Sequence, residues 1–365
     1  MINKPIISTV QTEQNQSPTF ECDLLKIAVD VHAAFYMVAW QMDGANPKPP
    51  QKFKPEAFLN WLAKQCKRAK QTTCCYEAGP TGFWLHRQIV ALGITNYVVC
   101  PTCLDSRRKG VNTDKTDAKE LLSRLDRYVA GNKNAFSVVR VPTEAQEQRR
   151  VLPRQRQQLR ETRLSLASMG RSLMLVHGRR ERNHWWKPAH WLGLQKELPE
   201  WMVQHLATFQ KLLVEVQRAL SALDKTIKAK APQQRPKGMG ELSWEQVESE
   251  VCDWSRFKNW RQVGGYSGLT GGVSGSGERL ADLSITKSGN KRLRTTIIEL
   301  SWRMVFFQPG YWLVKKWRKV LLNPKVHGRR KKQVIVAFAR QFLVDLWKWR
   351  TGQVTPQSLG WIMVS

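Results

Sequence analysis

From Met202 to Ile227 the apolar residues fall at alternating spacings of four and three: Met202, Leu206, Phe209, Leu213, Val216, Leu220, Leu223 and Ile227. That seam predicts one long helix with a single apolar stripe, the pattern of a coiled coil. Such a stripe has to be covered, because propensity alone does not hold a helix in water. A partner precedes it. Leu152, Leu159, Leu166 and Leu173 recur every seven residues, with Met169 and Val176 completing two pairs. Pro153 falls early in this helix and is expected to end or kink it. The stretch from His177 to Leu198, with Trp185, Trp186 and Trp191, reads as the turn of a helical hairpin. Spacing leaves open whether the two helices cover each other or meet another subunit.

The hairpin divides the chain. Residues 1–23 form a polar extension, 24–142 an α/β domain, 143–230 the hairpin, 231–237 a Pro-rich basic linker and 238–365 a mainly helical domain. In the α/β part, Leu24 to Val31 and Phe35 to Met42 read as a strand pair, and Thr72 to Tyr76 and Asn96 to Cys100 as further strands. Helices are expected over Pro55 to Lys70, where Phe58, Trp61, Leu62 and Cys66 share a face, and over Phe83 to Leu92. This β-β-α-β-α-β order predicts a mixed or parallel sheet with helices packed on it. Phe136 to Val141 is expected to add one more strand.

Four acids stand out on this framework. Asp30 lies inside the first strand. Glu77 ends a strand before a Gly/Pro turn, where open α/β sheets build sites. Thr113 starts a helix whose Asp114 and Asp117, three apart, share one face. Few carboxylates suffice to hold a hard divalent cation and leave room for phosphates. The plain alternative is four unrelated acids, with Asp30 paired to a nearby Lys or Arg.

Net charge is +30, from 59 Lys and Arg against 29 Asp and Glu. Half of that excess lies between Arg279 and Arg350, which holds 18 Lys and Arg and three Asp and Glu. A polyanion is therefore the expected partner, and nucleic acid binds chiefly through phosphate neutralisation. An anionic membrane surface is the alternative. No apolar run is long enough to span a bilayer, and no signal peptide is visible, so a cytoplasmic location is expected. The seven Cys are odd in number and scattered, which argues against a disulfide framework. Cys100 and Cys103 form a lone C-x-x-C without the second pair that zinc requires.

In the last third, Trp254 to Arg261 mixes aromatic and basic side chains, suited to stacking on bases or to a core edge. Gly264 to Gly277 is too Gly-rich for a helix or central strand and reads as a loop, with Ser276 open between Gly275 and Gly277. Ser284 to Arg294 reads as a polar turn running into a helix whose N-terminus favours an anion. His327 to Lys332 reads as a phosphate patch.

Two motif sets now point to a family. Val-Asp-Val around Asp30, Tyr-Glu-Ala-Gly-Pro-Thr-Gly-Phe from Tyr76 and Asp-Lys-Thr-Asp-Ala from Asp114 resemble the N-terminal domain of the DEDD transposases, insertion-sequence recombinases related to the Piv-type invertases. Gly-Met-Gly from Gly238, Asp-Trp-Ser-Arg-Phe-Lys-Asn from Asp253, Tyr-Ser-Gly-Leu from Tyr266, Ser-Gly at Ser276 and Ile-Thr-Lys-Ser-Gly-Asn-Lys-Arg-Leu-Arg from Ile285 resemble their C-terminal domain. The resemblance covers about residues 24–320.

The resemblance implies a RuvC-like, RNase H-type fold whose Asp30, Glu77, Asp114 and Asp117 bind Mg²⁺, with Mn²⁺ as an alternative. It implies that Ser276 attacks DNA to form a phosphoserine link; relatives often carry Ser-Ser-Gly at this place, and Ser274 is the fallback. It further implies a structured noncoding bridge RNA as guide, donor and target DNA as substrates, and assembly into dimers and tetramers through the hairpin. Two other functions fit the same charge. A RuvC-type nuclease would use the acids with water, and a non-enzymatic nucleic-acid-binding protein would leave them structural.

Overall fold

The computed structural model describes residues 20–79, 81–101, 113–230, 232–276 and 279–364, the side chains of 273–283 excepted. Most of the polar N-terminal extension and Cys103 of the C-x-x-C pair lie outside the described residues. The chain forms two compact units, residues 1–141 and 142–365.

The first unit is built on β1 (Cys22–Val31), β2 (Tyr36–Met42), β3 (Gln51–Phe53), α1 (Pro55–Gln65), β4 (Ala69–Glu77), α2 (Trp84–Ala91), β5 (Thr95–Val99) and α3 (Asp114–Val129). Strand order is β3-β2-β1-β4-β5. β1 runs antiparallel to β2 and parallel to β4, which is parallel to β5. The period of two along β1 sorts its side chains between two layers. Leu25, Ile27 and Val29 join Phe58, Leu62, Leu85 and Ile89 of α1 and α2 in one core. Ala28 points the other way, with Ala39 and Cys75, onto Ala118, Leu121, Leu122 and Leu125 of α3. Small residues on that face let α3 approach the sheet closely. Lys26 shares the face, and its buried ammonium pairs with Asp126 of α3.

Two expectations change here. The strand β3 is an addition, three residues paired with β2 and too short to show a period. Phe136 to Val141 is not a strand; it contributes one bridge, Val99 to Val138. Phe136 instead stacks on Tyr128 at 4.3 Å, closing the core beneath α3.

In the second unit α4 (Glu144–Val176), α5 (Pro188–Leu194) and α6 (Glu200–Lys230) come first. Arg156 pairs with Asp224 and Arg163 with Gln217, so α4 and α6 run antiparallel along each other. On α6 the predicted seam is buried at Met202, Leu206, Leu213, Leu220 and Ile227. On α4 the inward face carries Ala167, Gly170 and Met174, whereas Met169 and Val176 face solvent, at 52% and 80% exposure. The tryptophans of the connection are core: Trp185 is fully buried and donates its indole N–H to the Ala167 carbonyl at 3.0 Å.

Pro153 does not end α4. The helix continues because both sides of the proline are clamped to α7 (Glu241–Val251). Arg149 makes a two-pronged bond to Glu245 at 2.6 and 2.7 Å, and Arg154 does the same to Glu250 at 2.9 Å. Paired guanidinium–carboxylate bonds of this kind are among the strong ones.

The linker is also more ordered than its composition suggests. Arg235–Pro236 forms β6, paired with β9 (Met363–Val364) at the far end of the chain, and Arg235 binds Glu241. The remaining elements are α8 (Trp260–Ser267), β7 (Gly271–Ser276), β8 (Arg279–Ile285), α9 (Lys291–Phe307), α10 (Trp312–Leu321), α11 (Gly328–Arg350) and α12 (Pro356–Leu359). Their core gathers Trp244, Leu293, Ile297, Tyr311, Phe338 and Phe342. The Gly-rich stretch is therefore not a loop: its first part is α8, capped by Asn259, and its second part is a two-stranded hairpin. Two strands with no further neighbour need little side-chain packing, which is what glycine cannot supply. Among the described residues no helix is long and apolar enough to cross a membrane.

Candidate metal centre and serine strand

The parallel register of β1 and β4 sets Val29 beside Tyr76, so Asp30 and Glu77 follow each other at the same end of the sheet. Both have the parity of Ala28 and Cys75, the face on which α3 lies. α3 begins at that end. Thr113 and Thr116 form a reciprocal capping box, with Thr113 N–H donating to Thr116 Oγ1 at 2.9 Å. Asp114 and Asp117 occupy its first turn, where the helix dipole favours negative charge.

Asp30, Glu77 and Asp117 line one cleft of about 70 Å³ with Leu121 and Arg124. Burial, then the neighbouring Asp30 charge, pushes the Glu77 carboxyl above the ordinary range, and Asp117 adds to this while Arg124 opposes it. Partly buried carboxylates that converge on one cleft are hard oxygen donors of the kind a divalent ion takes. Asp114 lies to the side of this cleft and is drawn in through His32. The imidazole Nε2 is 3.0 Å from Asp30 Oδ2 and 3.5 Å from Asp114 Oδ1. One donor atom from each of Asp30, His32 and Asp114 falls within 4.8 Å of the others. The sequence expectation had no place for His32 or Arg124. The signal for His32 was the Asp-x-His spacing, since positions i and i+2 of an extended strand share a face.

Ser274 and Ser276 lie on β7, where Ser276 is paired with Arg279 of β8. Their side chains lie outside the described residues. The strand pair is anchored at its base by crossing turns. Gly289, at φ +142°, lies so close to the Tyr266 carbonyl that a Cβ would stand 2.6 Å from it. Asn290 N–H donates to that same carbonyl at 2.8 Å, and Asn290 caps α9. Arg294 ties both turns, donating to the carbonyls of Ser267 at 2.9 Å and Lys287 at 3.1 Å. The Asn290 amide also donates to Glu250 at 2.8 Å. Burial raises the Glu250 carboxyl, but its bonds to Arg154 and Asn290 outweigh that and hold it below the usual range.

The basic-aromatic stretch divides between core and surface. Trp254 and Phe257 are buried, while Trp260 is 44% exposed. Arg261 lies 4.8 Å and Arg340 5.3 Å from its ring centroid, a cationic aromatic face of the kind on which bases stack. His327 to Arg330, at the start of α11, are exposed.

Residues 234–315 match the family described as "Transposase IS116/IS110/IS902 family". Over most of its length the chain is similar to "Putative transposase y4rJ" of Sinorhizobium fredii, with 31% identity covering 92% of this chain and 95% of that protein. It is also similar to "Putative transposase y4qE" of the same organism, with 32% identity over 62% of this chain and 57% of that one.

Proposed function

The chain belongs to the IS116/IS110/IS902 transposase family and thus transfers DNA phosphoryl groups, and from that premise we propose that Ser276 is its nucleophile, that Asp30, Glu77, Asp114 and Asp117 hold Mg²⁺ or Mn²⁺, and that a structured noncoding RNA guides it. The observation that carries the reading is the cleft in which Asp30, Glu77 and Asp117 converge from three separate elements. The strand order β3-β2-β1-β4-β5, with its antiparallel first half and parallel second half, supports a RuvC-like domain over residues 24–142. The α4–α6 hairpin, residues 143–230, is the coiled-coil element that serves assembly, and residues 238–365 carry the serine.

Asp30, Glu77, Asp114 and Asp117 would hold the divalent cation, which would supply Lewis acidity toward the scissile phosphate. The protein's part is positional. The acids fix the cleft, and Lys and Arg of the second unit hold backbone phosphates of the DNA. Ser276 Oγ gives up its proton and bonds to phosphorus. The bond from phosphorus to one deoxyribose oxygen breaks, and that oxygen takes a proton. One phosphoester replaces another, so no water is consumed and the bond energy is kept for rejoining. Attack by the corresponding hydroxyl of the exchanged strand frees Ser276 again. Sequence choice falls to RNA–DNA pairing, while the protein reads shape and backbone.

The test is a denaturing gel. Protein, Mg²⁺, RNA transcribed from the flanks of the gene, and labelled donor and target DNA are incubated. A slow-migrating DNA–protein band is expected from the wild type and Ser274→Ala but not from Ser276→Ala. Free cleaved DNA in equal yield from wild type and Ser276→Ala would replace this reading with hydrolysis by water.

A further inference from the structure

His32 brings an imidazole nitrogen to Asp30 and Asp114 of the candidate metal centre. It follows β1 directly, and its ring is held in place. Its backbone N–H donates to the Phe35 carbonyl at 3.0 Å, and its imidazole stacks on the Phe35 ring with centroids 4.7 Å apart. Lys52 lies over that same phenyl ring, 3.8 Å from its centroid. One face of the imidazole is thus packed on Phe35. Ligands about 2.1 Å from a six-coordinate ion stand about 3 Å apart along the edges of the octahedron. The separations of Nε2 from Asp30 and Asp114, 3.0 and 3.5 Å, are those of neighbours in one coordination shell.

We propose that His32 is a nitrogen ligand, and that Asp30, His32 and Asp114 form a mixed nitrogen–oxygen place for a first-row transition ion beside the all-oxygen place of Asp30, Glu77 and Asp117. Asp30 is common to both. This rests on the reading that the acids hold metal. Its consequence is selectivity. Mg²⁺ takes oxygen ligands and keeps its waters, whereas imidazole favours transition ions. The two places therefore differ in which ion they prefer, and the mixed one discriminates for Mn²⁺ and its heavier neighbours over Mg²⁺. An imidazole that merely sits between two carboxylates as a cation has the opposite effect: it competes with the metal, and removing it strengthens metal binding.

The experiment uses the full chain as wild type, His32→Ala and Asp30→Asn, with Mn²⁺ as the probe. Free Mn²⁺ is followed by electron paramagnetic resonance during titration, and bound Mn²⁺ is examined by pulsed resonance for imidazole nitrogen coupling. His32 is 40% exposed, so its removal is not expected to unfold the domain, and circular dichroism melts check this. We expect nitrogen coupling in the wild type and its loss in His32→Ala. Mn²⁺ affinity at one place falls about tenfold or more, while Mg²⁺ affinity, read by competition, changes by less than about threefold. Bound Mn²⁺ without nitrogen coupling, coupling that survives in His32→Ala, or Mn²⁺ affinity unchanged or raised in that variant each overturns the ligand role and leaves the acid cleft standing. A wild type that binds Mn²⁺ no better than Asp30→Asn overturns the metal reading of the acids, and the His32 role with it.

Discussion

Glu77 carries a tension between stability and chemistry. It ends a central strand, half-buried, with Asp30 beside it on β1. Burial and that charge raise its folded pKa above the unfolded value. A carboxyl shifted in this direction weakens the fold once ionised. The penalty is absent below the ordinary glutamate pKa, grows as pH rises through the folded pKa, and is complete above it. Glu77→Gln removes it. We expect the metal-free variant to melt above the wild type at neutral pH and level with it in acid. With Mg²⁺ the order reverses, because only the wild type gains from the ion. Phosphoserine formation by the variant falls about a hundredfold or more. Thermal melts at two pH values, with and without Mg²⁺, check the first part, and the gel assay checks the second. The position of this acid was legible in the sequence, since a strand followed by Gly and Pro announces a strand end. Its pairing with Asp30 was not, because the register of β1 on β4 depends on contacts between distant segments. His32 escaped because a search for carboxylates passes over an imidazole two residues away.

At the scale of elements, the helices and strands with a clear period stand where the sequence puts them, and the failures share a cause. Pro153 forbids one helical hydrogen bond, and local chemistry predicts a break. The clamps from Arg149 and Arg154 to α7 override it, and those partners lie almost a hundred residues away. Gly170 shows the same effect in reverse. Alanine is the better helix former by about 1 kcal/mol, so propensity predicts that Gly170→Ala stabilises α4. Yet a Cβ there would stand 2.2 Å from the ring of Trp185, which is fully buried and bonded to the Ala167 carbonyl. The indole has no room to retreat. We expect Gly170→Ala to destabilise the second unit by about 1–3 kcal/mol, the cost of overpacking. Urea unfolding measures it. Adding Trp185→Leu should recover part of the loss, so that the double variant is more stable than the sum of the single effects allows. A plain gain in stability from Gly170→Ala would mean that Trp185 is not seated on α4.

For the whole molecule, the acids and Ser276 belong to different compact units, with the hairpin between them in the chain. A site that needs both can be completed within one subunit or between two, and the assembly role proposed for the hairpin suits the second arrangement. Val151, Leu164, Met169, Leu175 and Val176 of α4 and Leu212 of α6 are exposed on it. Mixing two inactive variants separates the arrangements. On the proposed roles, Asp114→Asn spoils only the acids and Ser276→Ala only the nucleophile. Suppose each site takes its acids from one subunit and its serine from the other. A mixed dimer then holds one site with both defects and one with neither. With equal amounts and free exchange, half the dimers are mixed, so phosphoserine yield should reach about a quarter of wild type in the unfractionated mixture and about half in the purified mixed dimer. If each site is built within one subunit, every site in the mixture lacks one part and the yield stays at zero. The two proteins are therefore co-expressed with different tags, and the doubly tagged complex is purified before the gel assay. Recovered yield in that complex, with none from either variant alone, assigns the acids of one subunit to the serine of another.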